Sequence, residues 1–319
     1  MPAFLGLAIP ALSRRAGFKS HVTLHHLMES VDLADAGVRF ERLYRFAGRM
    51  ATRMLLQSNS VNVLLPAYRR LLMKLYKAKN VILRLHGIFS GEPEPPDYSL
   101  RGNPQHKILA LGEWGTYKRL EVLLDAFSEL VKKLPNAKLI IAGRNHPLTP
   151  NYVESVLKPF ASCPWIEYTG YVSESAIPAL FRPMSVVVLP YSSATGPSGV
   201  AHLACEHAVP MIASDLPDFH EMAAAEGMAI DFFPTDSPHD LTQTMYNLLM
   251  SGQRQRQMAE QNYAAALKMT MPAIIGQYRE TFLEHENKGT SGPLSKWRST
   301  FRALRAMLYG EPLSSRNEP

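Results

Sequence analysis

The sequence predicts an α/β protein with two lobes, of which the second is a doubly wound parallel sheet. Short apolar runs alternate with amphipathic helical segments from residue 107 to about residue 270. The same alternation is present, less completely, in the first ninety residues. A strict alternation of strands and helices predicts a parallel sheet with crossover helices on both faces. The length of 319 residues also suits two packed domains better than one.

The second lobe begins with the buried strand Lys107–Gly112, which a glycine ends. A helix follows from Leu120, where apolar residues recur at helical spacing until Pro135. The next strand is Lys138–Gly143. Further strands are predicted at 165–171, 185–190, 209–214 and 228–232, with helices near 150–160, from 173, at 199–207, from 217 and from about 237.

The first lobe has three strand-like runs, at 21–24, 61–65 and 80–84, with basic helical segments between them. We therefore divide the chain into a partial N-terminal lobe, a linker, a second domain, a helix that packs back toward the first lobe, and a basic tail. Their predicted bounds are 1–90, 91–106, 107–270, 271–288 and 289–319. Proline and polar residues are typical of the linker.

The composition, 46% hydrophobic and 19% charged, argues against a disordered or fibrous chain. Two cysteines cannot form a disulfide framework, and no apolar run is long enough for a membrane span. The charge is uneven. Residues 1–90 hold 14 of the 34 Lys and Arg but only 4 of the 28 Asp and Glu, a balance of +10. This balance indicates either an anionic partner, such as a membrane surface, a lipid phosphate or a nucleic acid, or a solvated basic surface.

The densest chemical signal is the segment 195–210, in which a Gly/Ser-rich loop follows a strand and opens a helix. Free N–H groups at a helix start can bind an anion, and Gly199 would let a phosphate approach closely. Ser198 is placed as an N-cap or as a hydroxyl beside the phosphate, and Glu206 lies about two turns further along. The alternative is a capped core helix with a surface glutamate.

A second signal is the loop 112–119, which follows the first strand of the second domain. Lys118 and Arg119 could hold a phosphate there, although the same residues could form a solvated turn. The loop lacks the third glycine of a dinucleotide-binding fingerprint.

These motifs, in this order, resemble the C-terminal domain of retaining GT-B glycosyltransferases, the "group 1" family. The resemblance also includes Gly170-Tyr171-Val172, Val209-Pro210 and the segment 217–221. It covers residues 105–285 well and 20–90 more loosely. It implies two Rossmann-like lobes of GT-B type, of which the N-terminal one is incomplete here because the family's first units are missing. A misplaced gene start or a fragment would explain this.

The resemblance implies a role for each candidate site residue. Glu206 would hold the ribose hydroxyls, while Ser198 stands where the family has its first glutamate. Lys118 and the helix start at Ser198–Gly199 would stabilise the diphosphate without a metal or other cofactor, and Glu113 replaces a companion arginine. His25 would contact the donor sugar as the catalytic residue, although it could be a surface histidine. Glu221 would contact the nucleotide sugar or cap a helix.

We therefore expect a hexosyltransferase-like enzyme that moves a sugar from a nucleotide diphosphate sugar to a glycan or lipid-linked acceptor, with retention of configuration, in polysaccharide biosynthesis. One alternative is a GT-B epimerase, and another is a binding protein that keeps the nucleotide pocket without transferase activity. The expected location is the cytoplasm, peripheral at the inner membrane face, and nucleic acid is not an expected partner.

The tail offers a further membrane contact. Its apolar and basic residues fall on neighbouring stripes of a predicted helix, which could lie in the headgroup layer, pack on the first lobe or stay disordered. These residues are Trp297, Phe301, Leu304 and Leu308 beside Arg298, Arg302 and Arg305.

Overall fold

The computed structural model describes residues 2–30, 40–102, 105–193 and 196–287. The predicted tail helix lies outside the described residues. The strands are β1 (His21–Leu24), β2 (Ser60–Val63), β3 (Val81–Leu83), β4 (Lys107–Trp114), β5 (Lys138–Asn145), β6 (Ile166–Gly170), β7 (Val186–Leu189), β8 (Met211–Ser214) and β9 (Asp231–Phe233). The α-helices are α1 (Pro2–Arg15), α2 (Glu41–Leu55), α3 (Pro66–Tyr76), α4 (Leu120–Lys133), α5 (Tyr152–Leu157), α6 (Ile177–Phe181), α7 (Gly199–Glu206), α8 (Pro217–Glu226), α9 (Pro238–Leu249), α10 (Gly252–Lys268) and α11 (Met271–Asn287).

The second sheet is parallel throughout and has the strand order β6-β5-β4-β7-β8-β9. If the six strands of this sheet are renumbered 1 to 6 along the chain, their spatial order is 3-2-1-4-5-6. This is the doubly wound arrangement that the alternation predicts. The order reverses between β4 and β7. Because the connections leave these two strands in opposite directions, a crevice opens beyond their carboxyl ends.

Both faces of this sheet are buried, which is why its strands are apolar runs. Ile108 and Ala110 of β4 pack into one core with α4 and α9, whereas Leu109 packs into the other core with α7 and α8. The second core also contains Tyr68 and Leu72 of α3. The apolar interior is therefore continuous from one lobe to the other.

The first sheet has the order β1-β2-β3 and is also parallel. Helix α11 lies against this lobe, since Tyr278 receives a hydrogen bond from the Thr23 hydroxyl at 3.3 Å and Arg84 of the first lobe bonds the Gln277 carbonyl. The segment 84–90, which leaves β3 and which we call the crossover segment, is fixed at Ile88 by a bond to the Met269 carbonyl.

Helix α10 is absent from the sequence-based expectations. Its buried face includes Gln255 and Asn262, which bond backbone carbonyls in the interior. Because these buried positions are polar, the helical spacing of apolar residues is interrupted in the sequence. Strand β8 begins at Met211, two residues later than predicted. Helix α7 ends at Glu206, and a turn follows in which Ala208 has φ 53° and the Val209 N–H bonds back to the Ala204 carbonyl.

Candidate active site

A cavity of about 340 Å³ lies in the crevice between β4 and β7. Its volume is within the range of pockets that bind small molecules. The loops that follow the two strands supply most of its wall, and the first lobe adds a histidine. The lining residues are His26, Gly112, Glu113, Tyr117, Lys118, Tyr191, Ser193, Gly196, Pro197, Ser198, Gly199, Val200, Leu203 and Phe219.

Helix α7 points its N-terminus into this cavity. Ser198 is the N-cap, with extended backbone, and its hydroxyl accepts the Ala201 N–H at 3.4 Å. The N–H groups of Gly199 and Val200, at the first two helical positions, have no acceptor within a helix, and together they form a partial positive charge. Sequence reasoning and structure agree on the position of Ser198 and Gly199.

Lys118 ends a short 3₁₀ turn (Thr116–Lys118) directly after β4 and is only 9% exposed. Its amine lies 5.1 Å from the centre of the Tyr191 ring, and burial lowers the pKa of the amine. A Cβ at residue 112 would be 2.6 Å from the same amine, so Gly112 makes room for the lysine. No ion pair is found for Lys118 within the part of the chain that the structure describes. A desolvated cation of this kind is stabilised by a bound anion.

Glu206 does not line the cavity. Its carboxylate accepts the Phe89 N–H of the crossover segment at 3.2 Å and is buried there. Seven residues along a helix correspond to about 10 Å, so Glu206 is far from Gly199 along the axis. The helical residue that lines the cavity further along α7 is Leu203. The ribose-binding role of Glu206 stays a prediction, and in this structure the Phe89 N–H occupies its carboxylate.

Glu221 and His25 also lie outside the lining. The Glu221 carboxylate pairs with Arg70 of α3, so it joins the two lobes at their surface. The His25 ring is exposed and stands edge-on to His86, with 6.0 Å between ring centres. The next residue, His26, is the histidine that lines the cavity.

Asp218, which sequence reasoning did not select, connects the cavity loop to the first lobe. One carboxylate oxygen accepts the Tyr68 hydroxyl at 3.3 Å and the Gly196 N–H at 3.2 Å. Burial raises the pKa of this carboxyl. The sequence around Asp218 does not indicate these partners, because long-range contacts leave no local signal.

Metal binding and membrane spanning are two further possibilities for the described ranges. They contain no cluster of three or more His, Cys, Asp or Glu side chains that could hold a metal ion. None of their helices is both long and apolar enough to cross a bilayer.

Residues 105–251 match the model of the family described as "Glycosyl transferases group 1". No curated protein matches the sequence. Among solved structures, HepE of Anabaena in complex with UDP and glucose is similar, with 16% identity and a TM-score of 0.67 over 86% of this chain and 74% of that one. Sucrose-phosphate synthase of Thermosynechococcus elongatus has 15% identity and a TM-score of 0.70, over 89% and 73%.

S. aureus TarM, in complex with UDP, fondaparinux and α-GlcNAc-glycerol, has 12% identity and a TM-score of 0.66. The alignment covers 83% of this chain but about half, 51%, of TarM. At these identities the structural likeness establishes the fold alone, which is of GT-B type. Residues 105–251, a little under half of the chain, are similar to the glycosyl transferase group 1 family.

Proposed function

We propose that this chain transfers a sugar from a nucleotide diphosphate sugar to a glycan or lipid-linked acceptor, with retention of configuration. The observation that carries the proposal is the desolvated Lys118 amine, which shares one cavity with the N-terminus of α7. Both supply positive potential without a bound metal. A diphosphate brings the negative charge that such a site stabilises.

The same groups would act on the reaction as well as on binding. When the bond between sugar and diphosphate breaks, negative charge develops on the leaving oxygen. Donors already aimed at that position stabilise it without reorganisation. Among the lining residues that the structure describes, Glu113 is the one carboxylate, and Arg144 pairs with it at 3.2 Å. A covalent double displacement needs two carboxylates near the bond, so attack on the same face as the leaving group is favoured.

The relatives support the choice of donor class. HepE was solved with UDP and glucose, and TarM was solved with UDP and a GlcNAc-containing compound. UDP and its sugars are therefore the first ligands to test on this chain.

Calorimetry with UDP and uridine, followed by product analysis with UDP-sugars, tests the proposal. We expect UDP to bind much more tightly than uridine, because only UDP carries the diphosphate. With an acceptor present, the product should keep the anomeric configuration of the donor, as NMR would show. An altered sugar formed without acceptor would indicate an epimerase, and UDP binding without turnover would indicate a binding protein. The absence of UDP binding would refute the proposal.

We further propose that the first lobe contacts an anionic membrane through α2. This helix exposes Leu43, Phe46 and Met50, which are 63%, 63% and 41% exposed and recur at helical spacing. A stripe of arginines lies beside them, while Gly48 and Thr52 form the buried face. Apolar and cationic stripes together match the acyl boundary and the headgroups of an anionic bilayer. The arginines are Arg42, Arg45, Arg49 and Arg53.

Co-sedimentation with phosphatidylglycerol-containing vesicles tests this surface. The double variant F46S/M50S should sediment less than the original chain, and binding should fall as salt rises. Leu148→Ser is the matched control, because Leu148 is 84% exposed but lies in the second domain. If F46S/M50S and the original chain sediment equally, α2 does not form the membrane contact. A deletion of residues 290–319 in the same assay tests the tail.

A further inference from the structure

A buried histidine–glutamate pair lies behind the N-terminus of α7. His202, in the second turn of α7, and Glu226, the last residue of α8, both have fully buried side chains. The His202 Nε2 and the Glu226 Oε2 are 2.8 Å apart. Neither Glu226 oxygen, nor His202 Nε2, has an aligned hydrogen bond within the described residues. The close approach of the two side chains is therefore an electrostatic contact and not a directed hydrogen bond.

The other nitrogen of the ring reaches the N-cap. His202 Nδ1 lies 2.7 Å from the Ser198 carbonyl oxygen, which also accepts the His202 backbone N–H at 3.2 Å. A carbonyl oxygen can only accept, so Nδ1 carries a proton and donates it. Glu226 lies against Nε2 on the opposite side of the ring, and because both side chains are fully buried, this contact limits how far the imidazole can turn.

The Ser198 carbonyl belongs to the same peptide unit as the Gly199 N–H. Because a trans peptide is planar, its C=O and N–H point in opposite directions, and fixing one fixes the other. His202 holds the carbonyl from inside the protein, and Gly199 lines the cavity at the helix N-terminus. A polarised carbonyl also makes the N–H of that peptide a stronger donor.

We propose that His202 and Glu226 are positioning residues that aim the Gly199 N–H at the diphosphate of the donor. The inference rests on the proposed function, because it assumes a phosphate at this helix start. A buried polar pair without aligned hydrogen bonds is an expensive way to stabilise a core, and apolar side chains of similar size often do so equally well. A role in holding the peptide explains why polar groups occupy these positions.

Two double variants test the proposal by calorimetry with UDP and uridine. H202L/E226L removes both charges together, so no unpaired carboxylate is left in the interior. H202N/E226L restores an amide N–H near the position of Nδ1. We expect UDP binding to weaken about tenfold in the first variant and to recover to within about threefold of the original in the second. Uridine lacks the diphosphate, so its affinity should not change in either variant.

Gln255→Leu is the control, because Gln255 is a fully buried polar residue whose amide bonds the carbonyls of Leu248 and Leu249 and no group of α7 or α8. It should lower the melting temperature without changing UDP affinity. If H202L/E226L does not fold, E226Q gives the same test, since it removes the charge and keeps the shape, with an expected loss of about threefold.

Unchanged UDP affinity in a folded H202L/E226L, or an equal loss for uridine, would overturn the proposal. Failure of the proposed function would look different, since the original chain would then bind no UDP at all. In that case hydrogen exchange at the backbone amide of residue 202, which donates to the Ser198 carbonyl, still tests the peptide clamp. Exchange should be faster in H202L/E226L than in the original chain, and an equal rate would refute the clamp.

Discussion

Gly196 lies so close to His25 that a Cβ at residue 196 would be 2.7 Å from the His25 carbonyl oxygen. Gly196 belongs to the loop that precedes α7, and His25 follows β1 of the first lobe. The backbones of the two lobes therefore touch at the edge of the cavity. This contact requires a residue without a side chain, and its φ of 95° is also one that glycine adopts readily.

Gly196→Ala should weaken both stability and donor binding. The added methyl group meets backbone rather than a movable side chain, and the positive φ adds strain of about 1–3 kcal/mol. Thermal unfolding and UDP calorimetry would measure the two effects. Gly276→Ala in α11 is the control, because no atom lies within 4 Å of its Cβ position. An alanine at 196 that leaves UDP affinity unchanged would show that the lobes need not approach this closely.

Lys118→Met should reduce affinity for UDP far more than affinity for uridine. Methionine keeps most of the buried chain length and removes the charge, so the loss is one charge-assisted contact, worth about 1.5–3 kcal/mol. Calorimetry with both ligands measures the difference directly. Stability should hold or rise, since burial of the amine is already unfavourable. Equal losses for UDP and uridine would make Lys118 a structural residue.

Glu206→Ala should destabilise the chain without a selective loss of UDP binding. The variant leaves the partly buried Phe89 N–H without its carboxylate acceptor, at a cost of about 1–3 kcal/mol. Glu206→Gln keeps an oxygen for this bond and should cost less. Urea unfolding and UDP calorimetry on both variants provide the test. A large loss of UDP affinity in folded Glu206→Gln would show that Glu206 contacts the nucleotide, as expected for a ribose-binding residue.

Asp218→Asn should change how stability depends on pH. Burial raises the pKa of Asp218, so the folded state favours its protonated form. Its favourable contribution is complete below the ordinary carboxyl pKa of about 4 and is lost as pH rises through the raised value. The asparagine variant should therefore gain melting temperature relative to the original chain near pH 7 and less near pH 3. If the melting temperatures of the two proteins differ by the same amount at every pH in this range, the assignment is contradicted.

The parallel α/β architecture could be predicted from the sequence, because apolar periods of strands and helices are local patterns that burial on both faces requires. Lys118, Ser198 and Gly199 could be predicted to lie near one another, since loops after the strands of a doubly wound sheet meet at one edge, and in the structure they line one cavity. The polar interior face of α10 shows the limit of such patterns, because buried glutamine and asparagine conceal an apolar period.

Only the tertiary structure decided which side chains face the cavity. Leu203 and Glu206 are three residues apart on one helix, yet the crossover segment covers Glu206 and leaves Leu203 at the cavity wall. His25 and His26 are neighbours in the sequence, yet only His26 lines the cavity. The pair His202–Glu226 joins residues on two separate helices. Spacing along the chain fixes the relative phase of side chains on one element, but the packing of other elements against it decides what each side chain meets.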